Sequence, residues 1–172
     1  MMGKLMGMAL ILAGCAGMLF SWQERKRRQQ MFMGECIRLL AEWKYALSKE
    51  HMRLYDFLEE CECRVPQMKD LLEELKERLK TNTFPSGMQV WQELLREKRA
   101  DLPLEEEAYR IFLDAGDAFF GSSSEECLRC IKVCGERMEE VMTGEKRDME
   151  RKWKVYMPVG MLGGTILIIL FI

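Results

Sequence analysis

Apolar positions follow two regimes along this chain: unbroken runs at the two ends and short stripes at helical spacing between them. The last run, residues 155–172 (VYMPVGMLGGTILIILFI), carries no charged side chain. As a helix rising about 1.5 Å per residue it reaches roughly 27 Å, close to the roughly 30 Å hydrocarbon core of a bilayer. The first run, residues 5–22 (LMGMALILAGCAGMLFSW), has the same length. The pattern predicts a transmembrane helix at each end, 1–22 and 155–172, around a helical domain at 23–154.

Between the runs the 3-4 spacing repeats. Phe32, Cys36, Leu39, Trp43 and Leu47, widened by Leu40 and Ala46, predict that residues 23–49 continue the first helix. His51, Met52, Leu54, Phe57 and Leu58 resume as a short amphipathic segment that ends near Cys61–Arg64 and Pro66. Met68, Leu71, Leu72, Leu75 and Leu79 give the cleanest stripe. Ser86 followed by Gln89 resembles a capping box for a helix with the face Val90, Trp91, Leu94 and Leu95. Glu105, Glu106 and Glu107 favour a helix start through the dipole, and its inward face is Ala108, Ile111, Phe112, Ala115 and Phe119. The turn at 121–124 stops it, and Ser122/Glu125 or Ser123/Glu126 caps the next helix. That helix runs without proline to Pro158, with Leu128, Ile131, Gly135, Met138, Met142, Met149 and Tyr156 on its seam, interrupted by Glu145 and Lys152. No segment alternates with period two, so the expectation is an all-α bundle of five to seven helices.

Charge changes the picture by fixing orientation. Lys4 is the sole charged side chain in the first 22 residues, and Arg25, Lys26, Arg27 and Arg28 follow the first run. The stretch 146–154 (KRDMERKWK) precedes the last run, with Trp153 and Tyr156 at the expected headgroup level. Basic clusters on the domain side of both runs predict a cytoplasmic domain and a membrane hairpin. The first run also admits a cleaved signal peptide, or a lipoprotein signal at Leu12-Ala13-Gly14-Cys15; the apolar residues through Phe20 and the basic cluster favour an uncleaved span. In the domain acidic and basic residues interleave, which argues against nucleic acid as a partner.

The seven cysteines, at 15, 36, 61, 63, 127, 130 and 134, are odd in number and sit among apolar helical positions, a pattern of reduced, packed thiols. Cys127, Cys130 and Cys134 have metal-like spacing that Cys61 and Cys63 would complete; packing against a helix seam is the alternative reading, and it is preferred. His51 reads as a surface histidine, and the paired glutamates read as solvated helix faces. Gly160 and Gly164 suit close helix packing in lipid. No catalytic, cofactor-binding or metal-ligating residue is assigned.

The string at 111–131, IFLDAGDAFFGSSSEECLRCI, resembles a segment of the stage III sporulation protein AB family of endospore-forming Firmicutes. Gly116 and Gly121 match that family's two glycines, and Phe120 replaces the usual Leu. Residues 46–58, ALSKEHMRLYDFL, are similar to a second family region, with His51 and Met52 where Thr-Pro is common. The resemblance implies a non-enzymatic membrane platform in the channel complex between mother cell and forespore, similar to the cytoplasmic helical domains of platform proteins in type II secretion and type IV pilus systems. It implies a mother-cell membrane location facing the forespore. It also implies a secretion-type ATPase and other channel subunits as partners, with self-association left open. A cysteine-based redox or metal sensor and a lipoprotein-type scaffold are the rival readings. Gly116, Phe119, Gly121 and Ser122 are expected to form a structural junction that orients a partner-docking surface, with Gly121 as a helix cap of positive φ.

Overall fold

Two long helices frame the domain, and shorter ones are packed into the angle between them. The computed structural model describes the backbone at residues 2–81 and 86–171, and the side chains at 17, 20–49, 51–81, 86–151 and 154. Helix α1 spans Met2–Tyr45 and passes into a π-helical turn, Ala46–Glu50; α2 is Leu54–Glu60, α3 Pro66–Lys80 and α4 Gly87–Glu97. Then come α5 at Glu106–Asp114, α6 at Gly116–Phe120 and α7 at Ser124–Phe171. Among the described residues there is no strand, and the all-α expectation holds.

The predicted stripes are the buried ones. Phe32, Met33, Cys36, Leu39, Leu40 and Trp43 of α1 enter one core with Met68, Leu71, Leu72 and Leu75 of α3 and Val90, Trp91, Leu94 and Leu95 of α4. Pro66 starts α3 at a position where its missing N–H has no partner to lose. Ser86 caps α4 by accepting from the Gln89 N–H at 3.3 Å. The α1 and α7 helices run antiparallel: Gln29 of α1 meets Glu145 of α7, and Trp43 reaches Ala118 just ahead of α7.

Four expectations need correction or rest outside these residues. The helix expected across 105–119 breaks at Ala115, so that α5 and α6 pack as separate pieces. His51 does not begin a helix: it closes the π-turn in a left-handed conformation at φ 52°, the one non-glycine with positive φ among the described residues. The buried face of α7 is Cys127, Ile131, Cys134 and Met138, while Leu128 and Met142 are half-buried, because α1, α5 and α6 cover the helix from several sides. Among the described residues no helix is long and apolar enough to cross a membrane. The side chains of both predicted spans, apart from 17 and 20–22, lie outside the described residues, as do 1, 82–85 and 172 entirely.

Candidate functional site

The junction between α5, α6 and α7 is where the predicted site residues meet. Gly116 opens α6 against α4, and a Cβ there would lie 2.6 Å from both Met88 Sδ and Trp91 Cδ1. Glycine is therefore required by close approach. Phe119 is buried between two indoles, with centroids 6.3 Å from Trp43 and 5.5 Å from Trp91. Aromatic contacts continue from Trp43 to Phe57 and from Trp91 through Phe112 to Phe32, joining five helices through one chain of rings. Such pairs contribute about 0.5–1.5 kcal/mol each beyond their buried area.

The same indoles bond to backbone carbonyls on either side of Ala115, Trp91 at the break itself and Trp43 at the end of α6. Trp91 Nε1 donates to the Leu113 carbonyl at 3.2 Å, and Trp43 Nε1 donates to the Ala118 carbonyl at 2.7 Å. A continuous helix would occupy both carbonyls with amides four residues on. Here the Ser122 amide, the natural partner of Ala118, donates instead to Glu126 Oε2 at 3.0 Å. Buried carbonyls keep partners, and the chain is free to turn.

Gly121 departs from expectation. Its φ is −60° and ψ 156°, an extended conformation open to any residue, so it is no left-handed cap. Its constraint is steric: a Cβ would lie 2.7 Å from the Asp117 carbonyl oxygen and 3.0 Å from Cys127 Sγ. The Ser123/Glu126 pairing is the one that forms, with Ser123 Oγ accepting from the Glu126 amide at 3.2 Å. Ser122 contributes from outside the cap, its hydroxyl donating to Glu126 Oε2 at 2.5 Å. That bond, with the Ser122 amide, holds the Glu126 carboxyl below its usual range. Ser122 is exposed, whereas Gly116 and Phe119 are buried and act by positioning. Around Ser122 the exposed Asp117, Glu125 and Glu126 give this end of the bundle an acidic edge, with Arg129 close enough to Glu126 to help lower its carboxyl, while Asp114 pairs with Arg137 farther along α7.

The thiols fall into two separate places. Cys130 Sγ and Cys134 Sγ are 3.7 Å apart beside the Asp114 carbonyl. Burial raises the pKa of Cys127 and Cys134 and pushes Cys130 up to about 12, with the neighbouring Cys134 adding to it. Cys61 and Cys63 lie instead beside Glu35, Arg38 and Glu42 of α1, with buried Cys36 behind them. The five-cysteine assembly needed for a joint site is not brought together, and no group of three or more ligands poised for a metal occurs among the described residues.

Two polar clusters, neither legible in the sequence, tie the loops to α1. Glu35, 5% exposed, accepts from Arg38 Nη2 at 2.7 Å and Nε at 3.1 Å and from the Arg64 amide at 2.6 Å. Burial alone would raise its carboxyl, but these donors outweigh it and hold the pKa low. At the other end of the domain Gln29 Nε2 donates to Glu145 Oε1 at 2.6 Å, and Lys26 pairs with Glu105 and lies 3.8 Å from Glu145. Glu145 interrupts the apolar seam because it faces inward to this amide. Burial raises its carboxyl pKa, with Lys26 opposing.

From Gln29 to Trp43 is about 21 Å along α1, so the polar cluster and the acidic junction mark opposite ends of the bundle. The class so defined is an all-helical domain framed by two antiparallel helices. The chain belongs to the stage III sporulation protein AB family, whose family model matches residues 4–172. A solved structure of a stage III sporulation protein AB aligns at a TM-score of 0.54 and 16% identity, covering 74% of this chain and 97% of that one. At that identity the likeness speaks for the fold. No curated protein matches the chain.

Proposed function

We propose that this sporulation-family protein is a membrane-anchored platform: a cytoplasmic helical domain that docks a secretion-type ATPase beneath the channel between mother cell and forespore. The observation that carries the reading is the Gln29–Glu145 bond. With Trp43 meeting Ala118 at the far end, it sets α1 and α7 antiparallel, so the apolar runs at 5–22 and 155–172 leave the domain from the same end. Gln29 is about 10 Å of helix from Trp22, and Glu145 about 15 Å from Val155. In this reading the two runs form a membrane hairpin, with the acidic junction around Ser122 directed away from the bilayer and toward the cytosol. Gly116, Phe119 and Gly121 hold that face in shape, and Ser122 lies on it. The role is architectural, with no reaction assigned.

The test is binding of the full chain, reconstituted in lipid nanodiscs, to a secretion-type ATPase of the sporulation channel. Wild type is expected to bind, and a variant with Asp117→Lys and Glu125→Lys on the exposed rim is expected to lose binding with an unchanged melting temperature. Undiminished binding by that folded variant would place the docking surface elsewhere; absence of wild-type binding would remove the ATPase from the account.

A further inference from the structure

The end of the domain that carries the Gln29–Glu145 bond is ringed by basic side chains, several of which make no ion pair among the described residues. Of the four basic residues at 25–28, Lys26 turns inward to Glu105 and Glu145, and Arg28 pairs with Glu24. Arg25 and Arg27 are exposed and make no ion pair among the described residues. On α7 the exposed Lys146, Arg147, Arg151 and Lys154 are likewise unpaired among those residues. Arg147, Arg151 and Lys154 follow i, i+4, i+7 spacing, which aligns them in one stripe. Continuing the helix from Met138 and Glu145 places that stripe on the side opposite the buried face.

Elsewhere the arginines and lysines of the helix faces are largely answered by carboxylates: Arg38 by Glu35 and Glu42, Arg78 by Glu74 and Glu97, Lys98 by Glu74, Arg110 by Glu106. Of the acids near the collar, Glu107, Glu140, Asp148 and Glu150 make no ion pair among the described residues, still fewer than the six cations. A second observation comes from the apolar side. Phe20 is 73% exposed and Trp22 42% exposed, one to two turns outboard of Arg25. Large apolar and aromatic side chains next to basic ones, with no protein covering either, match the chemistry of a headgroup layer above an acyl core.

We infer that this collar, with Arg25, Arg27, Lys146, Arg147, Arg151 and Lys154 at its rim, binds the headgroups of anionic phospholipids in the leaflet facing the domain. The inference rests on the membrane-hairpin reading and adds to it a lipid class. Guanidinium and ammonium groups donate to phosphodiester oxygens, and the attraction falls off within a Debye length, so only charges at this end take part. Two helices rooted in one anionic patch keep the domain upright beneath the bilayer.

The full chain is incorporated into nanodiscs of phosphatidylcholine alone and of phosphatidylcholine mixed with phosphatidylglycerol, and retained lipids are counted by native mass spectrometry. Wild type is expected to enter both discs and to retain phosphatidylglycerol in preference to phosphatidylcholine. A variant carrying Arg25→Gln, Arg147→Gln, Arg151→Gln and Lys154→Gln should enter both discs, melt as wild type does and lose at least about fivefold of that enrichment. A control with Lys69→Gln and Lys132→Gln should keep it. Failure of wild type to enter either disc overturns the hairpin itself. Entry without lipid preference, or an equal loss in the control, overturns the collar.

Discussion

Gln29 and Glu145 sit 116 positions apart in sequence, and the amide nitrogen of one donates to the carboxylate of the other at 2.6 Å. The bond lies at the end of the domain from which both apolar runs depart. Because burial raises the Glu145 carboxyl, the folded state holds its proton more tightly than the unfolded chain does. The native state then binds more protons in the window between the two pKa values. Stability is complete below the unfolded value and falls as pH rises through the raised, folded one. Glu145→Gln should flatten this slope and leave the domain at least as stable at neutral pH. Urea unfolding from acid to neutral pH checks it; an unchanged slope in the variant would show that another group carries the dependence.

Glu35 should behave with the opposite sign. Its depressed carboxyl contributes stability above the unfolded pKa, and that contribution is lost as pH falls through the lower, folded value. Glu35→Gln removes the ionised acceptor shared by Arg38 and the Arg64 amide, at a cost of about 1–3 kcal/mol near neutrality. The gap between wild type and variant should narrow as the solution is acidified below the ordinary carboxylate range. A constant gap would mean that shape, and not charge, makes the difference.

At Gly121 the expected penalty comes from packing. A valine must displace the Asp117 carbonyl or the Cys127 thiol, and overpacking of this kind costs about 1–3 kcal/mol. Alanine already meets the same two atoms and should be measurably destabilising, which a left-handed cap at this position would also have produced. The two causes separate at Cys127→Ala: with the sulfur removed, Gly121→Ala should be better tolerated, and thermal melting of the four variants reads the coupling.

The α7 cysteines divide by burial. Cys127→Ala and Cys134→Ala should each lose about 1–2 kcal/mol through vacated core volume, and half-exposed Cys130→Ala less. Elemental analysis of the purified full chain tests the rival use of these thiols: stoichiometric zinc or iron that disappears in the triple variant would overturn packing as their role.

What the sequence shows of this molecule is its local periodicity. Stripes such as Met68–Leu75 and Val90–Leu95 needed one helix each to be read, and Ser86 and Ser123 are caps whose partners lie three residues on. The break at Ala115 is hidden because the contact beside it is remote: the Trp91 indole takes the Leu113 carbonyl that would have continued α5. The partners of Glu145 and Glu35 are hidden for the same reason, since Gln29 and the Arg64 amide are distant in sequence. Gly121 pointed to the right position through the wrong property, backbone sign where side-chain room was the constraint. At the junction Phe120 was legible as a departure from the family pattern, while the space for its ring comes from Gly87, where a Cβ would stand 2.3 Å from it.

The claim on which the rest depends is that both apolar runs enter one membrane from the same end of the domain and leave that domain in the cytosol. Glu73 lies on the exposed side of α3, where its one ion pair is with exposed Lys69 at 3.8 Å, and Cys61 and Cys63 are half-exposed native reporters. Intact cells expressing the wild-type chain or Glu73→Cys are treated with a membrane-impermeant thiol reagent, and the same cells are then treated after lysis. The account predicts no labelling at positions 61, 63 or 73 before lysis and labelling at 73 afterwards. Labelling of the position 73 thiol in intact cells would contradict it.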